Sequence, residues 1–228
     1  AASDVYKRQR AEIWRGEIEM DLNVSLVSSY SYEGMFLGDI YRETYPYGYV
    51  SDRLSSVFKD WTCNVPVGIF SGTGTGKNTF VESDLIPEAI RCGMRVLLFS
   101  NRVALNRQTK KRLARIFELE YLVDKYTDQG LDDLTDFGGL TVVSYQQLEA
   151  WINEKSYKLA ELQNKNFAYV ICDEVHYFTS DCGFNAFTDV SLDYIVQHFR
   201  NAVRIYMTAT PEEVFPILRE RENGCLLY

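Results

Sequence analysis

Short apolar runs recur along the chain and alternate with segments of helical spacing. An unbroken apolar run of about four to eight residues is typical of a strand buried on both faces of a parallel sheet. Strands are predicted at Val65–Phe70, Arg95–Ser100, Leu119–Val123, Leu140–Ser144, Phe167–Cys172 and Val203–Met207. Helices are predicted at Val50–Trp61, Phe80–Cys92, Asn101–Phe117, Tyr145–Glu154, Val190–Phe199 and Glu212–Glu222. The alternation predicts an α/β fold with a doubly wound, mainly parallel sheet.

Polar residues stand at the ends of the predicted strands, where ligands bind in sheets of this kind. They are Ser71, Ser100, Ser144, Asp173 and Thr208. Their agreement in position predicts one site along the carboxyl edge of the sheet.

The first 48 residues have a weaker pattern. Glu12–Met20 is a candidate helix, and the tyrosine-rich stretch that follows has no sustained period. Those tyrosines either stack on bases or close a small satellite core.

Composition limits the classes of function. The chain has 228 residues, of which 46% are hydrophobic, and a net charge of −8. This charge argues against binding nucleic acid by bulk electrostatics but leaves a local basic groove open. Five cysteines without a C-x-x-C spacing favour reduced thiols in the cytoplasm, and two histidines make a zinc site improbable. No apolar run is long enough to cross a membrane.

A glycine-rich turn joins the first of these strands to the second predicted helix. It reads Ser71-Gly72-Thr73-Gly74-Thr75-Gly76-Lys77-Asn78-Thr79. A strand, a glycine turn and a helix in this order form a cradle in which backbone N–H groups bind phosphate and the lysine reaches the β- and γ-phosphates. The plain alternative is a flexible Gly/Thr loop. The match to G-x-x-x-x-G-K-[ST] is incomplete, because Ser71 replaces the first glycine and Asn78 replaces the hydroxyl residue that holds Mg²⁺.

Two adjacent carboxylates, Asp173 and Glu174, follow the Phe167–Cys172 strand. One can hold Mg²⁺ while the other polarises a water. Neighbouring residues of a strand point to opposite faces, so the chain has to turn at this point for both to face a nucleotide.

These motifs resemble those of superfamily-2 helicases and translocases of the DEAD/DEAH-box type. Ser71–Thr79 resembles their first motif, Asp173-Glu174-Val175-His176 the second in its D-E-x-H form, and Thr208-Ala209-Thr210-Pro211 the third. Leu97–Arg102 and Val142–Gln146 are similar to segments that touch the nucleic-acid backbone.

The resemblance implies a role for each matching residue. Gly72 to Thr79 would bind ATP, with Lys77 on the phosphates. Asp173 and Asn78 would hold Mg²⁺, and Glu174 would act as the base. His176, Thr208 and Thr210 would couple the nucleotide to nucleic acid, which Arg102 and Ser144 would contact. The alternatives are that Thr210 only caps the next helix and that His176 is an ordinary surface histidine.

The resemblance also implies a division of the chain. Residues 10–48 are expected to be an N-terminal extension and 49–224 a RecA-like ATP-binding domain. Residues 1–9 and 225–228 resemble translated sequencing adapters. A second RecA-like domain, needed to close the cleft, is expected downstream, and the fragment alone is expected to be nearly inactive.

Three functions remain open after the sequence. The first is the motor domain of a helicase or DNA translocase, possibly of a restriction system, that hydrolyses ATP on DNA rather than RNA. The second is a nucleotide switch or scaffold that binds without turnover, which Asn78 favours. The third is an unrelated P-loop ATPase, against which the D-E-V-H and T-A-T motifs count.

Overall fold

The secondary structure comes from a computed structural model that describes residues 24–32, 35–43, 49–101, 103–116, 135–180, 188–222 and 225–227. The strands are β1 (Val24–Tyr32), β2 (Met35–Glu43), β3 (Val67–Phe70), β4 (Val96–Ser100), β5 (Asp136–Phe137), β6 (Leu140–Ser144), β7 (Tyr169–Cys172), β8 (Val203–Thr208) and β9 (Cys225–Leu227). The helices are α1 (Val50–Val57), α2 (Lys77–Thr79), α3 (Ile86–Arg91), α4 (Val103–Ile116), α5 (Tyr145–Asn153), α6 (Tyr157–Gln163), α7 (Tyr177–Ser180), α8 (Thr188–His198) and α9 (Pro211–Arg221).

These strands form one sheet in the order β1-β2-β9-β3-β8-β7-β4-β6-β5. Every neighbouring pair from β2 to β6 is parallel, and the outer pairs β1–β2 and β5–β6 are antiparallel. The predicted mainly parallel α/β sheet is therefore confirmed. Five of the six predicted strands form its centre, and the sixth, Leu119–Val123, lies outside the described residues.

Helices cover both faces of the sheet, which explains why its central strands are mostly apolar. Along β4, Val96 and Leu98 pack into one core with α1, α3 and α4. Leu97 and Phe99 pack into the other core with α5, α8 and α9. A strand buried on both faces cannot alternate apolar with polar residues, so its sequence is a continuous apolar run.

The chain stays helical through Pro87, which lies inside the predicted helix Phe80–Cys92. A π-helical segment, Phe80–Leu85, joins α2 to α3 and places Pro87 in the first turn of α3. Proline has no N–H to donate, and in a regular helix its ring would crowd the carbonyl of Ser83. The wider π turns avoid this conflict without ending the helix.

Several elements are absent from the sequence prediction. The β1–β2 hairpin lies in the first 48 residues, where the pattern was weak, and α6 and β5 lie in segments for which no helix or strand was predicted. Strand β9, in the segment predicted to be an adapter, pairs with β2 and β3. The candidate helix Glu12–Met20 lies outside the described residues. No helix in the described ranges is long and apolar enough to cross a membrane.

Candidate functional site

The glycine turn between β3 and α2 has the backbone of a phosphate cradle. Gly74 and Gly76 adopt φ values of +77° and +87°, which L side chains rarely tolerate. The space where a Cβ of Gly74 would stand is open within 4 Å, so the mouth of the turn is accessible. The Ser71 hydroxyl lies 2.8 Å from the Thr75 hydroxyl, which donates to the carbonyl of Gly72 at 2.8 Å. Ser71, which replaces the usual glycine, therefore braces the turn.

Lys77 folds back over this turn. Its Nζ donates to the carbonyl of Ser71 and, at 2.8 Å, to that of Gly72. Only 8% of the residue is exposed. Burial lowers the pKa of Lys77, and the nearby carboxylates of Glu174 and Asp173 oppose that shift. The charge of the ammonium, held on the cradle, thus interacts with the two carboxylates that the second motif supplies.

The chain turns at Asp173 and Glu174, as the sequence requires if both are to face the cradle. Glu174 has a left-handed φ of +52°, which is uncommon for a non-glycine residue. Its N–H donates to Oδ1 of Asp173 at 3.0 Å, and the N–H of Val175 donates to the carbonyl of Met207 on β8 at 3.0 Å. Hydrogen bonds on both sides hold this strained backbone in place.

Asp173 is a buried carboxyl with an unusual pKa. Burial, followed by the charge of Glu174, raises its pKa to about 7, while the N–H of Glu174 and the charge of Lys77 oppose the rise. A carboxyl in this environment gains most from a cation placed beside it.

Replacement of Asp173 by asparagine is expected to change how stability depends on pH. The folded chain keeps the Asp173 proton up to about pH 7, whereas the unfolded chain releases it near pH 3.8. The free energy of unfolding therefore falls as the pH rises between those values. At pH 8 the variant should be more stable than the wild type by roughly 2–4 kcal/mol, with a smaller difference at pH 4. Urea unfolding at both pH values measures this, with the exposed Asp60→Asn as control. Equal pH dependence in the wild type and Asp173→Asn would contradict it.

His176 connects the second motif to the third. Its Nδ1 lies 3.2 Å from Oε2 of Glu174 and 3.3 Å from Oγ1 of Thr208. Thr208 is fully buried at the end of β8, and its hydroxyl accepts the N–H of Thr210 at 3.1 Å. Thr210 precedes α9, but its side chain makes no capping hydrogen bond. The structure thus brings His176, Glu174 and Thr208 together.

The two predicted nucleic-acid segments meet at the ends of β4 and β6. Gln146 donates from Nε2 to the carbonyl of Asn101 at 2.7 Å, and Gln146 is exposed. Ser144 is different, because it is only 1% exposed and its hydroxyl accepts the N–H of Gln147 at the start of α5. The S-x-x-Q spacing of a capping box was the sequence signal for this. Arg102 lies outside the described residues.

Asn78 and Thr79 lie in the first turn of the helix after the cradle, and both are exposed. Residues in succession on a helix are about 100° apart, so Thr79 does not present its hydroxyl where Asn78 presents its amide. Asn78 therefore remains the residue at the position of the usual magnesium ligand.

Sequence reasoning missed an ion pair next to the site. Glu82, in the π-helical segment, is buried and accepts from the guanidinium of Arg112 on α4. Burial raises the pKa of Glu82 and the bond to Arg112 opposes the rise. The charge of Glu82 also contributes to the raised pKa of Asp173. Arg112 is exposed, and its guanidinium offsets the buried negative charge of Glu82.

A protein-family model described as type III restriction enzyme, res subunit, matches residues 54–213, which is well over half of the chain. The chain belongs to this family. Its domain is of the superfamily-2 helicase type, as the motifs indicated. No curated protein matches the chain in sequence.

Solved structures share the fold. The DUF1998 helicase MrfA matches 97% of this chain and 32% of its own length, with a TM-score of 0.55 and 12% identity. A hypothetical ATP-dependent RNA helicase from Sulfolobus tokodaii matches 81% of this chain and 54% of its own length, with a TM-score of 0.51 and 15% identity. The chain therefore spans about a third and about half of the two structures.

Proposed function

We propose that this chain is the ATP-binding motor domain of a nucleic-acid-dependent ATPase, either a helicase or a DNA translocase. The observation that carries the proposal is that Lys77 is buried on a cradle with left-handed glycines, where its charge interacts with those of Asp173 and Glu174. A triphosphate needs a cation and N–H groups on one side and a metal-holding carboxylate on the other, and this arrangement supplies both.

The residues around the cradle fit ATP and Mg²⁺. The N–H groups of Gly74 to Lys77 would hold the phosphates, and Lys77 would exchange its two carbonyl partners for phosphate oxygens. Asp173 and the amide oxygen of Asn78 would hold Mg²⁺, since hard oxygen ligands suit this ion. When bound, Mg²⁺ supplies positive charge that neutralises phosphate oxygens. Glu174 would accept a proton from the attacking water.

The proposed link to nucleic acid runs along the carboxyl edge of the sheet. His176 contacts both Glu174 and Thr208, so a change beside the γ-phosphate would reach the third motif and Thr210. Arg102 and the Ser144 segment would contact the sugar–phosphate backbone, with the exposed Gln146 beside them. The family description refers to restriction enzymes, which favours DNA over RNA. Reduced cysteines support a cytoplasmic location.

Hydrolysis is proposed to require a second RecA-like domain that closes over the ATP. Asn78 supports a second candidate function, a nucleotide switch or scaffold that binds ATP without turnover, because an amide oxygen in place of a hydroxyl weakens the expected magnesium site. A motor subunit of a restriction system is a special case of the first function.

ATP hydrolysis by the full-length protein, with and without DNA or RNA, tests the proposal. Hydrolysis stimulated by nucleic acid is expected. The Lys77→Ala variant should bind a fluorescent ATP analogue at least about tenfold more weakly, since it loses the charge on the phosphates. The exposed Lys59→Ala is the matched control, because Lys59 lies at the surface, where it pairs with Glu88. Binding of MgATP without turnover would contradict the motor function and favour the nucleotide switch.

A further inference from the structure

Tyr145 joins the two halves of the proposed site. It is the first residue of α5, between Ser144 and Gln146 at the end of β6, and its side chain is fully buried. Its hydroxyl donates to the backbone carbonyl of Asp173 at 2.9 Å. The residue thus begins in the predicted nucleic-acid segment and ends on the backbone of the carboxylate turn.

The ring of Tyr145 is held between other aromatic rings. It stacks on Tyr177 with centroids 5.0 Å apart and planes 8° apart, and on Phe99 of β4 at 6.0 Å and 13°. Phe178 meets it edge-on at 4.8 Å. A ring packed on several sides cannot rotate away by itself, so the hydroxyl moves only when α5, β4 or α7 moves.

The hydrogen bond from the Tyr145 hydroxyl lies directly before the left-handed residue of the turn. It satisfies the carbonyl of Asp173, whose peptide leads into the left-handed Glu174. A non-glycine residue in that conformation is strained and persists only when its surroundings fix it. Leaving the buried carbonyl unpaired would add a further cost. Burial also keeps the pKa of Tyr145 well above its usual value, so the hydroxyl remains a donor.

We propose that Tyr145 is a positioning residue that fixes the Asp173–Glu174 peptide and makes it respond to nucleic acid bound at the ends of β4 and β6. The inference rests on the proposed function, because only that function gives nucleic acid a role. The observation behind it is the hydrogen bond from the Tyr145 hydroxyl to the Asp173 carbonyl. A shift of the first turn of α5, where Gln146 is exposed, displaces the hydroxyl and with it the carbonyl before Glu174.

Tyr145→Phe tests this, because it removes the hydroxyl and keeps the ring. The matched control is Tyr177→Phe, which removes a hydroxyl from the same stack whose partner is Glu149, at 3.0 Å. In the full-length protein, Tyr145→Phe should lower the DNA-stimulated kcat roughly tenfold and leave the KM for ATP and the Kd for DNA within about twofold. Tyr177→Phe should keep most of the stimulation. An equal loss in both variants, or no loss in Tyr145→Phe, would overturn the proposal.

Amide hydrogen exchange on the 228-residue chain separates this inference from the proposed function, because it requires no hydrolysis. Tyr145→Phe should speed exchange at residues 173–177, where N–H groups bond within the turn, to β4 or to β8. Tyr177→Phe should leave the bonds of Glu174 and Val175 protected. Faster exchange throughout the sheet of Tyr145→Phe would indicate a general loss of stability. Unchanged exchange in this variant would indicate that Tyr145 has no positioning role. Either result overturns the inference. Absence of nucleic-acid-stimulated hydrolysis in the wild type, with the expected exchange, would overturn the proposed function alone.

Discussion

Replacing Glu174 by glutamine is expected to lower the rate of ATP hydrolysis roughly 100- to 10,000-fold. Glutamine keeps the size of the side chain but cannot accept a proton from water. The backbone of the turn should persist, since the bonds that hold it come from N–H groups and from Tyr145. Binding of ATP should therefore stay within about threefold of the wild type, which separates a lost base from a lost site.

Single-turnover hydrolysis and nucleotide titration on the same preparation measure the two effects. The control is Glu161→Gln, on the exposed side of α6. Its hydrolysis should match that of the wild type. A Glu174→Gln protein that hydrolyses at more than about a tenth of the wild-type rate would show that another group takes the proton.

The second large effect is expected on folding, from Glu222→Gln. Arg204 on β8 and Glu222 after α9 are both buried and form a two-point pair, with Nε to Oε1 at 2.6 Å and Nη2 to Oε2 at 2.9 Å. The Tyr206 hydroxyl donates to the same carboxylate at 2.8 Å. Burial opposes the charge of Arg204, but the bonds and charge of Glu222 outweigh it and raise the pKa of Arg204.

Neutralising Glu222 leaves that guanidinium buried without its counter-charge, which typically costs about 3–5 kcal/mol. Urea unfolding measures the loss, and the exposed Glu220→Gln, two residues earlier on α9, is the control. Replacing both Arg204 and Glu222 by apolar residues should recover much of the stability, because no charge is then left alone. A loss below about 1 kcal/mol in Glu222→Gln would contradict this account.

The central sheet was predictable because one physical rule determines its sequence. A strand covered on both faces is mostly apolar, so Leu140–Ser144 was placed to the residue and Phe167–Cys172 to within two. The edges of the sheet were not predictable in this way. The β1–β2 hairpin has no such rule, and β5 is only two residues long.

The candidate site was predictable where a motif is contiguous and not where it depends on packing. Lys77, Asp173 and Glu174 come from short motifs at the ends of strands. The pairing of Glu82 with Arg112 joins residues 30 positions apart, through two helices on one face of the sheet. No local pattern encodes that contact. Ser144 carried a local signal, because the S-x-x-Q spacing of a capping box was present in the sequence, and the structure shows that cap.

The π-helical segment Phe80–Leu85 has a consequence for comparing this chain with its relatives. A hydrogen bond that closes from i to i+5 takes up one residue more per turn than the i to i+4 bond of an α-helix. A relative with a regular helix would need one residue fewer between the phosphate-binding lysine and β4. An ungapped alignment through this helix would then be shifted by one position, and Glu82 would be compared with the wrong residue.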